Sequence, residues 1–166
     1  MLHDRILPVR VPSSIGVPDI QYMTHKAVPT ASIILGSVLI FTSNEVDVDA
    51  TDPTPIVGVA LAPANSAPGY NAQNNPAVFT GRQAKIAVAR ANRITIFSGY
   101  LTNNSSTRVA PTAADIGASY GLTPYSNIWT VDKNKTAGSA RVTIVDIDLI
   151  NNGVFFKFME AHLATP

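Results

Sequence analysis

The sequence predicts an all-β chain: one compact antiparallel barrel or sandwich, entered through an extended arm. Three observations carry this. Apolar residues gather in short runs rich in Val and Ile, such as SIILGSVLIFT and ARVTIVDIDLI, the composition of a pleated, half-buried surface. Pro, Gly, Asn and Ser gather between those runs, where turns need them. No stretch carries the 3.6-residue apolar spacing of an amphipathic helix of useful length, and no repeat of 20–50 residues recurs.

The elements follow in order. Residues 1–32 read as the arm, because Pro8, Pro12, Pro18 and Pro29 break any helix and favour extended backbone. Its apolar residues, Ile6, Val9, Val11, Ile15, Val17, Ile20 and Tyr22, exceed what a disordered tail needs. They pack either on the chain's own core or on another subunit. The domain proper runs 33–166. Its first strand bends at Gly36, and SNE (43–45) turns it into VDV (46–48). ATDPTP (50–55) is a loop, IVGVALA (56–62) a strand, and 63–76 a long Pro- and Asn-rich loop. AKIAVARANRITIFSGYL (84–101) reads as a hairpin turning at 91–93, with a loop over 102–117. Within that loop Thr112 and Asp115 have the spacing that caps one helical turn. Strands follow at 127–131 and 140–150, with Val142, Ile144, Ile147 and Leu149 as core candidates. The step from Ile144 to Ile147 breaks strict alternation. Asn151-Asn152-Gly153 then closes a hairpin with GVFFKFMEAHL, since Asn-Gly takes positive φ readily.

Composition narrows the function. Of 166 residues, 46% are hydrophobic and 14% charged, against roughly 25% charged in soluble domains. So little charge favours a surface partly covered by partners. The net charge of +1 announces neither a nucleic-acid nor a membrane binder. With no cysteine, disulfides and thiolate chemistry are excluded. The opening MLHDRILPVRVP lacks the apolar run of a secretory signal, and no segment is long enough to span a bilayer.

Chemical motifs are scarce. Asp47, Asp49 and Asp52 superficially resemble a calcium loop, but Asp52 and Gly58 occupy the positions that need Gly and Glu. Asp146 and Asp148 share one strand face with no third ligand, as a solvated face would. His3, His25 and His162 lie far apart, and no nucleophile elbow or phosphate loop occurs. No cofactor, metal site or enzymatic activity is expected.

Charge is segregated. Between Asp52 and Asp115 no acid occurs, while Arg82, Lys85, Arg90, Arg93 and Arg108 fall in that gap. The acids Asp47, Asp49 and Asp52 and the bases Arg82, Lys85, Arg90 and Arg93 form a possible charged interface across a subunit boundary. A nucleic-acid surface with Phe97 and Tyr100 stacking is the weaker reading at this density. Tyr120 and Trp129 read as a structural aromatic brace, with Gly117 and Gly121 letting the chain turn beside them. A sugar- or base-binding platform is the alternative.

The order GSVLIF, TPIVGVALAPA, IGASYGL, IWTVD, ARVTIVDID, GVFFKF resembles the capsid decoration, or cement, proteins of tailed bacteriophages, over about residues 33–158. The resemblance rests on strands and turns with few fixed side chains. It implies a β-barrel or β-tulip-like domain on the outer capsid surface, made in the host cytoplasm and held by the major capsid protein. It also implies an N-terminal arm that augments a capsid sheet, anchored here by Ile6, Leu7, Val9, Val11, Ile15, Val17, Ile20 and Tyr22. Self-association is implied too, a trimer ahead of a dimer. The chain departs from the smallest members in its length and its 63–76 and 102–115 loops. The alternative function is a carbohydrate- or oligonucleotide-binding module on the virion surface.

Overall fold

The computed structural model describes residues 5–10, 18–26, 32–49, 51–64, 85–104, 107–125 and 128–164. These residues are all-β. The strands are β1 (Leu7–Arg10), β2 (Ile20–Thr24), β3 (Val38–Thr42), β4 (Glu45–Val48), β5 (Ile56–Ala60), β6 (Lys85–Arg90), β7 (Ile96–Asn103), β8 (Thr107–Arg108), β9 (Ser119–Tyr125), β10 (Ile128–Asp132), β11 (Val142–Asp148) and β12 (Gly153–Phe158). The helices described are three-residue 3-10 turns at Ala113–Asp115, Ala137–Ser139 and Glu160–His162.

The strands partition between two sheets, where the sequence reading left a barrel or a sandwich open. One sheet has the order β2-β6-β5-β3-β4, with every neighbouring pair antiparallel. Ser43 and Asn44, at φ 53° and 67°, make the two-residue turn that joins β3 to β4. A parallel bridge between His25 and Val46 brings the exit of β2 beside β4, and the Lys26 N–H donates to the Val46 carbonyl at 3.0 Å. The other sheet runs β1-β7-β10-β9-β11-β12, and β12 pairs back onto β7. Its β7–β10 ladder is parallel; the others are antiparallel.

Cross-strand partners share a face, which sorts the second sheet. Leu101, Val131 and Leu122 stand on one face with Phe97, Phe156 and Tyr120. The rings of Phe97, Phe156 and Phe158 meet with centroids 4.9 and 5.6 Å apart in edge contacts and 6.2 Å apart in a stack. All three are buried, each burial stabilising by roughly 1.5–3 kcal/mol. On the opposite face, the Thr102 and Thr130 hydroxyls bond each other at 3.0 Å, and Thr130 donates to the Thr123 carbonyl at 3.1 Å.

Four expectations are corrected. The 84–101 hairpin does not form, because β6 and β7 lie in different sheets. Asn92 explains this: its Oδ1 accepts from the N–H groups of Ile94 and Thr95 at 2.9 and 2.8 Å, and from the Thr95 hydroxyl at 2.9 Å. The side chain satisfies donors that a hairpin partner would have taken, and the chain crosses over. Second, Leu149 is 66% exposed, since β11 ends at Asp148 and Leu149 belongs to the turn. Third, Gly121 lies within β9 rather than at a bend. Fourth, 107–108 pair with β7 inside the stretch read as loop. The interrupted alternation of β11 takes the form of a β-bulge between Ile144 and Asp146.

Of the stretch read as arm, β1 pairs with β7 and β2 with β6. At the far end, Leu163 forms a parallel bridge with Ile56, and the Ala164 N–H donates to the Ile56 carbonyl at 2.7 Å. Each sheet therefore holds a segment from the opposite end of the chain.

Candidate interaction surface

Most of the charged side chains picked out by sequence are engaged inside the chain. Asp47 is buried; its Oδ2 meets Lys26 Nζ at 3.0 Å and its Oδ1 accepts the Val48 N–H at 2.8 Å. Asp52, at φ 49°, meets Lys135 Nζ at 3.1 Å. Arg93 pairs with Glu160, and Arg90 Nη1 donates to Gln21 Oε1 at 3.3 Å. Asp49 is half-buried, Lys85 is exposed at the start of β6, and Arg82 lies outside the described residues. Asp47, Asp52, Arg90 and Arg93 thus each have a separate partner within the chain.

Arg141 clasps the two sheets. It precedes β11 and is 8% exposed, with its Nε donating to the carbonyls of Asp52 (3.1 Å) and Pro53 (3.2 Å). Its Nη1 donates to those of Gly138 (3.0 Å) and Ala140 (2.8 Å). A guanidinium suits this role, because its planar fork presents several donors and keeps its charge. The 52–53 segment connects β4 to β5, so the clasp ties the first sheet's connection to the second sheet.

Asp115 centres a second cluster. Its carboxylate receives Lys133 Nζ at 2.7 Å, the Tyr120 hydroxyl at 2.6 Å, and the Thr112 N–H and hydroxyl at 2.7 and 2.9 Å. Burial acts to raise its pKa. Lys133, Tyr120 and Thr112 outweigh burial and hold it at about 2. Tyr120 is pushed up to about 12 by burial and by the Asp115 carboxylate. His162 is lowered, by burial and by the charge of Arg141. Among the described residues, no three His, Asp or Glu side chains gather as a metal site.

Tyr120 and Trp129 are buried, at 7% and 3% exposure, so neither presents its ring as a platform. Tyr120 braces Asp115 through its hydroxyl. No protein-family model and no curated protein matches this chain.

The exposed surface points elsewhere. On β2, Ile20 and Tyr22 are 50% and 71% exposed, facing Ala89 and Ala87 across the ladder. At the β11–β12 turn, Leu149 and Ile150 project, Ile150 at 92% exposure. Asp148 Oδ1 fixes that turn by accepting the Ile150 and Asn151 N–H groups at 3.0 and 2.9 Å. Beside it, Arg108 stacks 3.1 Å above the Tyr100 ring and reaches the Asn151 carbonyl at 3.4 Å.

Of the sequence-selected arm residues, Ile20 and Tyr22 face outward, while Ile6 is fully buried. Leu7 is half-buried and pairs with Ser98, and Val9 belongs to the same strand. Val11, Ile15 and Val17 lie outside the described residues. Lys26, Lys133, Lys135, Arg141 and Ile150 escaped the sequence reading. Only Ile150 carried a local signal, an aliphatic residue abutting the Asn-Asn-Gly turn.

Proposed function

We propose that this chain is a virion structural protein that decorates and stabilises the outside of a tailed-phage capsid by binding the major capsid protein. It acts by surface burial, without catalysis or a cofactor. The observation that carries this reading is the outward apolar pair Ile20 and Tyr22 on β2. It lies in the segment read as a capsid-binding arm, on a chain with few charges, many of them engaged internally. Exposed aromatic and aliphatic anchors of this kind dominate protein contacts. The circuit β7-β10-β9-β11-β12-β7 is read as the small barrel of such a domain. Assembly occurs in the host cytoplasm, and copies cluster as trimers ahead of dimers. The burial of Trp129 and Tyr120 counts against the sugar- or oligonucleotide-binding alternative.

Co-sedimentation with expanded, undecorated capsids tests the proposal. Saturation at a fixed, simple ratio to the major capsid subunit is the expected result. A folded protein that stays in the supernatant at every concentration ends the reading.

A further inference from the structure

The N-terminal strand occupies a slot that two glycines open. Gly36 adopts φ +88°, and a Cβ there would stand 2.8 Å from Arg5 Cβ and 3.1 and 3.2 Å from the Ile6 carbonyl oxygen and nitrogen. Gly99 lies in β7, where a Cβ would stand 3.3 Å from both Ile6 Cγ1 and Phe156 Cε1. The missing side chains let the Arg5–Ile6 backbone approach one sheet and the Ile6 side chain enter the other. Arg5 Nη1 donates to the Leu35 carbonyl at 3.0 Å. Leu7 then pairs with Ser98 and Pro8 with Phe97, opposite the edge that β12 occupies at the same two residues.

This slot cannot stand empty at low cost, because Ile6 is fully buried and withdrawing it would open the Phe156 side of the core to water. Among the described residues, the ladder that holds the occupant is short. The strand has four residues, and its ladder slips between Pro8 and Arg10. The connection to β2, in the other sheet, is through residues 11–19. Nine residues reach at most about 32 Å, enough to pass to a touching neighbour.

We infer that the slot formed by Gly36, Gly99, Phe156 and the β7 edge is a strand-acceptor site, and that it takes residues 5–10 from a second copy of this chain as well as from its own. The slot recognises the segment by shape and ladder, and both are the same whichever copy supplies it. A tethered segment competes at an effective concentration on the order of millimolar, so exchange grows as copies crowd. Crowding on a shell would supply that condition, a point that rests on the decoration reading; the exchange itself does not.

The test needs no capsid. The chain has no cysteine, and directly opposed residues of an antiparallel ladder lie within about 5 Å, close to disulfide reach. Leu7→Cys and Ser98→Cys are placed on separate full-length chains, refolded together over a range of concentrations, and oxidised. A mixed dimer linked between positions 7 and 98 is expected, with a share that rises with protein concentration. Adding Ile6→Asp to the Leu7→Cys chain should cut that share at least tenfold, which chance association would not. The double variant Leu7→Cys/Ser98→Cys, oxidised dilute, should close its link within one chain. An internal link without any mixed dimer, even near millimolar protein, overturns the exchange. Failure of the double variant to link overturns the slot. Neither outcome bears on capsid binding.

Discussion

Tyr120 donates its hydroxyl hydrogen to Asp115 Oδ1 over 2.6 Å, and both side chains are buried. The bond spans five residues, from the end of a 3-10 turn to the second position of β9. Removing a donor from a buried carboxylate costs about 2 kcal/mol. Tyr120→Phe should lower the urea-unfolding free energy by about that amount. Tyr125→Phe, at an exposed ring of the same strand, should change it by less than about 0.5 kcal/mol. Equal effects at the two positions would show that the hydroxyl bond contributes nothing.

The same pair sets a pH window. Asp115 has a lowered folded-state pKa, about 2 against 3.8, so its contribution is present above pH 4 and is lost as pH falls toward 2. The gap corresponds to roughly 2 kcal/mol. Tyr120 has a raised pKa, about 12 against 10.0; its contribution is present below pH 10 and is lost as pH rises toward 12. Melting temperature should therefore fall toward pH 2 and toward pH 12 as these two contributions are lost, and the lowered His162 adds a further loss below about pH 6.5. In Asp115→Asn the acid-side fall should shrink. An unchanged acid limb in that variant would assign the loss to other carboxylates.

Arg141→Lys should act as a severe substitution. An ammonium lacks the fork that reaches four carbonyls. We expect a loss of about 3 kcal/mol from unpaired buried groups. Because the clasp joins the two sheets, denaturation followed by Trp129 fluorescence should separate from that followed by far-ultraviolet circular dichroism. Coincident curves with an unchanged midpoint would rule out the clasp.

Glycine positions give a contrast. A Cβ on Gly121 would meet Lys135 Cβ at 2.5 Å, the Ser139 carbonyl at 2.8 Å and Asp52 Oδ1 at 2.9 Å; at Gly138 nothing lies within 4 Å. Gly121→Ala should cost about 2 kcal/mol or more through forced displacement. Gly138→Ala should stay within about 0.5 kcal/mol. Thermal melts of the two variants decide it.

On the surface, Ile20→Ser/Tyr22→Ser should leave unfolding within about 0.5 kcal/mol of the parent. It should weaken capsid co-sedimentation at least tenfold, as loss of an anchor pair does. Full binding by that variant would move the contact elsewhere, with the Leu149–Ile150 turn the next segment to change.

Much of the strand content was legible because it rests on local signals. Branched runs marked β3, β5 and β11, Asn-Gly marked the last turn, and the Thr112–Asp115 spacing marked a 3-10 turn. The placement of β6 and β7 in different sheets was not legible. It depends on Asn92 satisfying the donors of Ile94 and Thr95, and Asn92 reads equally well as hairpin-turn material. β9 was obscured because SYGLTPY mixes Gly and Pro with its apolar residues; Gly121 is there to admit Lys135, a contact 14 positions away. The ion pairs were hidden for the same reason. Lys26 and Asp47 are 21 residues apart, Lys135 and Asp52 are 83 apart, and no spacing rule reaches across such distances.

The crossed ends of the chain bear on its synthesis. β1 must wait for Phe97 and Ser98 before it has a ladder, and Ile56 gains its last backbone partner only when Ala164 emerges. Such long sequence separations slow folding, because loop closure is costly before any contact rewards it. A nascent chain stalled before Leu163 would hold the β5 end of the first sheet unfinished. A bulky group inserted directly after residue 164 would fall where that pairing engages.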